Sequence, residues 1–179
     1  LTDLDQAYEA TRAIIDCVDP PFSGLLRVPL HADFGGTPHA GGDTFRAPGD
    51  AAYRTLLDWV TLEPAGPRDP PPLDEHERFF AERVQPALFS ASCANTNCHG
   101  LSASVPYRLD PGVEGRTSVS ATRHNYEASL FMLTLDGDPL QSRLLRKGLP
   151  LHAGGIVHRG GNQAFFTGPE DPRAQAIVE

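Results

Sequence analysis

The stretch Phe89-Ser-Ala-Ser-Cys93-Ala-Asn-Thr-Asn-Cys98-His99-Gly100 holds two cysteines, the second followed at once by a histidine. Two thiols with an adjoining imidazole form the pattern by which haem is attached covalently. The sulfurs add to the two vinyl groups, and the histidine is held under the iron as its proximal ligand. The common spacing has two residues between the cysteines, whereas four stand here. Because Cys98 and His99 stay adjacent, a wider loop between the two anchor points absorbs the extra pair. Two other chemistries compete. In an exported protein Cys93 and Cys98 would also make a disulfide. Zinc would want four ligands, commonly as two close pairs, and the chain has no second cysteine pair. The third cysteine, Cys17, falls on the apolar face of a predicted helix and reads as a buried thiol.

An iron that carries electrons takes a second protein ligand, methionine or histidine. His158 is the stronger candidate. It stands in Gly154-Gly-Ile-Val-His158-Arg-Gly-Gly161, where glycines let backbone approach the flat face of a macrocycle and adopt positive φ. Met132, the single methionine, lies in an apolar stripe and reads first as core, second as ligand. His39 occupies the place of His158 in Gly35-Gly-Thr-Pro-His39-Ala-Gly-Gly42. It would serve a second haem, or only hydrogen-bond its loop. Arg27 and Arg146 recur at matching places and are candidates to pair with haem propionates or to cap a helix end. His76 and His124 read as solvated, and His31 and His152 do not align with each other.

Those matches belong to an internal repeat. Asp19 to Gly42 aligns with Asp138 to Gly161 without a gap at twelve of twenty-four positions, among them Asp-Pro, Ser, Leu-Leu-Arg, Gly-Gly, His and Gly-Gly. Chance gives about one or two identities. With small gaps Tyr8 pairs with Tyr126, and Asp50 to Asp58 with Asp171 to Glu179. Residues 1–60 are expected to be the back half of a repeat, 61–74 a proline-rich, stiff linker, and 75–179 a complete domain. The first copy lacks a front half and the second stops in mid-pattern at Glu179. The sequence is therefore expected to be an excerpt of a longer polypeptide with tandem units, as in a subunit of a multihaem assembly.

Periodicity supplies the elements that must position these side chains. Helical spacing is seen at Tyr8, Ala13, Ile14 and Cys17, and at Tyr126, Leu130, Phe131 and Leu133. It recurs over Asp74 to Phe89, with Phe79, Phe80, Val84 and Leu88 inward, and over Asp50 to Val60, with Tyr53, Leu56, Leu57 and Trp59 inward. Nothing alternates as a strand. The expected fold is mainly α, made of small helical domains with long loops rich in glycine and proline. A formal net charge of -8 disfavours nucleic acid and anionic membrane surfaces. No apolar run approaches the roughly 20 residues of a membrane helix.

The region Glu82 to Glu179 resembles the cytochrome c domains found in large exported proteins of planctomycetes, myxobacteria and related bacteria. The resemblance rests on Val84-Gln85-Pro86-Ala87-Leu88-Phe89, Cys98-His99-Gly100, Tyr107-Arg108-Leu109-Asp110, Asn125-Tyr126, the run from Asp138-Pro139 to Leu144-Leu145-Arg146, and the loop of paired glycines around His158. Residues 1–60 resemble the back half of the same domain. The resemblance implies a cytochrome c-like fold, one haem c, electron transport with redox partner proteins, and a periplasmic or extracellular location. The alternatives are a haem peroxidase or gas-binding protein, which needs an open sixth position on the iron, and a haem-free, disulfide-stapled exported interaction module.

Overall fold

The computed structural model describes residues 3–37, 39–64, 70–101, 103–113, 116–158 and 164–179. The described chain is mainly helical: α1 (Asp3–Arg12), α2 (Gly24–Arg27), α3 (Ala51–Leu62), α4 (Glu75–Phe79), α5 (Gln85–Ser90), α6 (Val119–Leu130), α7 (Arg143–Arg146) and α8 (Pro172–Val178). Only isolated β-bridges accompany the helices among the described residues. The chain forms two units. Unit 1 comprises Leu1–Pro72 with Pro111–Ser120, and unit 2 comprises Leu73–Asp110 with Ala121–Glu179. Ten residues inside the segment expected as one domain thus belong with the first unit.

Both units carry the repeat as the same backbone path. A 3-10 turn (Pro20–Phe22 or Pro139–Gln141) leads into α2 or α7, and a second turn (Ala32–Phe34 or Leu151–Ala153) ends on a left-handed glycine, Gly35 at φ +89° or Gly154 at φ +87°. Ser23 and Ser142 accept the amides of Asp16 and Thr134 on their hydroxyls. Arg27 Nε donates to the Gly35 carbonyl at 3.1 Å and Arg146 Nε to the Gly154 carbonyl at 3.0 Å. The repeated arginine is therefore a staple across its own loop. Each copy ends on an aspartate-capped helix, with Asp50 accepting from Ala52 and Asp171 from Arg173.

In unit 2 the run from α4 to α5 is continuous. A capping box between Asp74 and Glu77 starts it, and a π turn at Phe80–Val84 sits in its middle. Phe80, Val84 and Leu88 are buried as expected, in a cluster with Ala94, Leu109 and Leu144. Phe79, expected inward, is exposed. The stripe at i, i+4 and i+8 uses up the buried face, and the neighbouring position points away from it. Glu77 meets Arg123 of α6 in a two-pronged ion pair at 2.6 and 3.0 Å.

Two predicted helices end early. α1 stops at Arg12, so Cys17 is half-buried in a turn rather than buried on a helix face. The cause is local: the Asp16 carboxylate accepts the amides of Val18 and Asp19, which offers the backbone an alternative to helix. α6 ends at Leu130, leaving Phe131 88 % exposed and Met132 outside the helix. Met132 still packs against the Phe80–Leu144 cluster, in keeping with a core role.

At the centre of unit 2 lies Asn125, fully buried. Its Nδ2 donates to Gln85 Oε1 and to the Asp110 carbonyl, both at 2.9 Å, and its Oδ1 accepts the Asp110 amide at 2.6 Å. Asn125→Ala strands these partners in a dry interior and is expected to cost about 2–4 kcal/mol, read from the urea midpoint of the purified chain. A loss under about 1 kcal/mol would remove Asn125 from this organising role.

Candidate functional site

The cysteine loop begins where α5 ends. Ser92 adopts a left-handed conformation at φ +61°, the Ser92 amide bonds to Phe89 O at 2.9 Å, and the Cys93 amide bonds to Leu88 O at 3.0 Å. These are the paired bonds of a Schellman cap, with serine in the position that glycine usually fills. The chain then circles back. The amides of Cys98 and Gly100 both bond to Asn95 O, and the His99 amide bonds to Cys93 O at 3.0 Å. The four intervening residues are thus accommodated in a closed loop whose two ends meet at the backbone. A Cβ on Gly100 would lie 2.9 Å from Ala94 O and 3.0 Å from Thr96 Cα, so the position after His99 needs glycine for the loop to close.

Cys93 and Cys98 are half-buried free thiols. Cys93 packs against both apolar clusters of unit 2, the one around Leu88 and Leu144 and the one around Ala91, Leu145, Leu149, Phe166 and Ala174. Burial, with Cys98 nearby, pushes its thiol up to about 11.

The segment from Tyr107 to Leu109 orients His99. Leu109 donates its amide to the His99 carbonyl at 2.6 Å, and His99 Nδ1 lies 2.8 Å from the Tyr107 carbonyl oxygen. A carbonyl only accepts, so Nδ1 carries a hydrogen, which in the neutral ring leaves the Nε2 lone pair free, the arrangement found in histidines that ligate metals. The Tyr107 ring packs against the imidazole at a centroid distance of 5.0 Å, and its hydroxyl pairs with Ser129 at 3.0 Å. Burial raises the Tyr107 phenol above its ordinary range, so it acts as a neutral hydroxyl.

The glycine loop carries His158 to His99. The two rings stand 5.8 Å apart at their centroids, tilted by 31°, and Phe165 meets His158 edge-on at 5.6 Å. His158 Nδ1 is buried without a hydrogen-bond partner. Burial, then the neighbouring His99 and Lys147, lowers the proton affinity of His158 and so favours the neutral ring. Lys147 Nζ donates to the carbonyl of Val157, the residue before it. Two imidazoles on opposite sides of one metal ion, each nitrogen about 2.0–2.1 Å from it, need ring centres about 6 Å apart. The separation and the orphaned His158 nitrogen fit a metal-centred group between the rings.

Of the residues singled out in the sequence, Cys93, Cys98, His99 and His158 come together in unit 2. Arg146 lies at the base of the glycine loop, bonded to Gly154 and to Gln141. His39 in unit 1 is exposed, as are His76, His124 and His152. Gly160 and Gly161 lie outside the described residues, as do residues 65–69 of the expected linker. Sequence reasoning assigned no role to Ser92, Tyr107 or Phe165. Tyr107 acts on His99 through its carbonyl oxygen, a group every residue type has, so only its place in Tyr107-Arg108-Leu109-Asp110 could have marked it. Among the described residues no three His, Cys, Asp or Glu side chains converge as a metal-ion cage. No family model, no curated protein and no solved structure matches the chain.

Two consequences are measurable. Ser92→Gly relieves the left-handed backbone and is expected to stabilise the chain by up to about 1 kcal/mol in thermal or urea melts. In chain produced without cofactor, Cys93 is expected to alkylate at pH 8 at least ~10-fold more slowly than an exposed thiol of ordinary acidity, measured by peptide mapping. Equal rates would mean that the thiol is not buried as described.

Proposed function

We propose that unit 2 is a c-type cytochrome domain that carries one haem and passes single electrons to redox partner proteins. The observation that supports this reading best is the approach of His158 to His99, two imidazoles 5.8 Å apart beside two free thiols. Cys93 and Cys98 would anchor the haem covalently, and His99 and His158 would be its protein ligands. When bound, haem supplies an iron that cycles between two oxidation states.

The protein's own groups set the conditions for that cycle. The Tyr107 carbonyl holds the His99 Nδ1 proton and leaves Nε2 for the metal. With haem bound, His158 would supply the second protein ligand, and a filled position would favour relaying electrons over turning over a peroxide or holding a gas. A histidine in the sixth position gives a lower potential than Met132 would, because a thioether favours the reduced ion. The Leu88–Leu144 and Leu145–Phe166 clusters pack against Cys93, so one anchor is set in apolar surroundings. Attachment of this kind is made outside the cytoplasm, so the domain belongs in the periplasm or at the cell exterior. No helix among the described residues is long and apolar enough to cross a membrane.

The test is intact mass and optical spectrum of the chain exported from a host competent in haem attachment. Covalent haem adds about 600 Da that survives denaturation, and two axial histidines give a low-spin, six-coordinate spectrum in both oxidation states. His158→Ala is expected to convert the spectrum to high-spin while leaving the mass gain intact. A bare polypeptide mass would end the cytochrome reading. A high-spin spectrum in the unaltered chain would favour the peroxidase or gas-binding alternative.

A further inference from the structure

The two copies of the repeat differ in what covers their left-handed glycine. In unit 1, Gly35 is buried beneath Pro111–Ser120: a Cβ added to it would lie 2.1 Å from the Gly112 carbonyl oxygen and 3.2 Å from Val113 Cα. That segment is a tight hairpin. Val113 and Arg116 exchange both backbone hydrogen bonds, at 2.9 and 3.0 Å, and Gly112 at φ +79° has no room for a side chain against the Arg116 carbonyl. Val113 is 2 % exposed, and Arg116 lies within electrostatic reach of Asp19 at the start of the repeat. Glycine carbonyl on glycine, a buried valine and an arginine toward an aspartate make up the seat.

Unit 2 presents the same seat bare. Gly154 has the same backbone conformation, at φ +87°, with nothing among the described residues within 4 Å of where a Cβ would stand. Asp138, the counterpart of Asp19, is exposed, with its carboxylate engaged only locally in capping Leu140. Arg146 staples Gly154 as Arg27 staples Gly35, so the platform is already formed. Leu151 and Val157, three residues to either side in sequence, are 56 % and 65 % exposed and so are free to meet an apolar side chain.

We propose that the Gly154 face of unit 2 binds a second hairpin of the Gly112–Val113–Arg116 kind, donated by another repeat of this type. This chain's own hairpin is already held by unit 1. The hairpin is thus a coupling device between successive repeats, and its seat is independent of haem ligation, since Gly35 holds its hairpin without a cysteine motif in its unit.

The probe is a cyclised peptide spanning Asp110 to Ala121, added to the full chain and followed by amide chemical shifts. The small contact predicts a dissociation constant of about 0.1–1 mM, with shifts at Leu151, Gly154 and Val157. Gly154→Asn tolerates the left-handed backbone and has open space, yet fills the seat, and is expected to weaken binding at least ~10-fold with an unchanged melting curve. Asp138→Asn keeps the cap and removes the charge, and is expected to weaken binding about threefold at low salt. Absence of shifts at millimolar peptide would overturn the proposal. Shifts confined to Gly35 and Asp19 would overturn it too, because the peptide would then only exchange with the resident hairpin. Self-association of the chain that Gly154→Asn abolishes and the peptide does not compete with would identify a second copy as the occupant and equally overturn it.

Discussion

A methyl group on Gly155 would stand 2.0 Å from the carbonyl oxygen of Leu149, and one on Gly36 would stand 1.7 Å from that of Leu30. No other residue type tolerates that approach. The pair formed by a left-handed glycine and a glycine pressed on a carbonyl folds the chain back over its own short helix. The returning amide then finds the helix end: Thr37 bonds to Arg27 O at 3.0 Å and Ile156 to Arg146 O at 2.9 Å. An arginine from the same turn of helix secures the glycine carbonyl. In unit 2 this return leads on to His158, whose ring faces His99 of the cysteine loop. The site exists because these backbone contacts leave the loop one path.

The opposite side of the site is held by a different device. Asn125 pins both polar groups of Asp110, and the segment running back from Asp110 supplies the Leu109 amide to His99 O and the Tyr107 carbonyl to His99 Nδ1. A single buried amide side chain on α6 thus anchors the segment whose Tyr107 carbonyl faces an imidazole that Asn125 does not itself hydrogen-bond. Buried polar groups are costly unless fully paired. Here Gln85 occupies the remaining partner position and in turn reaches Thr122, so the network is closed across α5 and α6.

Much of this was legible in the sequence, and the unread parts share a cause. The helical character, the repeat and the grouping of Cys93, Cys98, His99 and His158 come from side-chain types at fixed spacing. Phe80, Val84 and Leu88 were readable because period and apolarity coincide. The early ends of α1 and α6 were not, because the Asp16 carboxylate and the turn after Leu130 compete with helix through hydrogen bonds that periodicity does not register. The Schellman cap at Ser92 escaped for a related reason: glycine advertises a left-handed residue, and serine does not. The transfer of Pro111–Ser120 to unit 1 escaped because Gly112 and Val113 recognise a backbone surface, and backbone carries no sequence signature.

Unit 1 separates what the glycine loop does from what its histidine does. Both copies keep the serine, the arginine staple and the crowded glycines, yet His39 is exposed while His158 is half-buried with an orphaned nitrogen. The backbone path therefore does not depend on the histidine finding a partner. The environment of His158 comes from elements that only unit 2 supplies, namely Phe165 at its edge, Lys147 behind it and His99 across from it. The loop is a presenting scaffold whose chemistry is set by what faces it. A histidine at the same place takes on the surroundings of His158 only where a cysteine loop folds opposite to it.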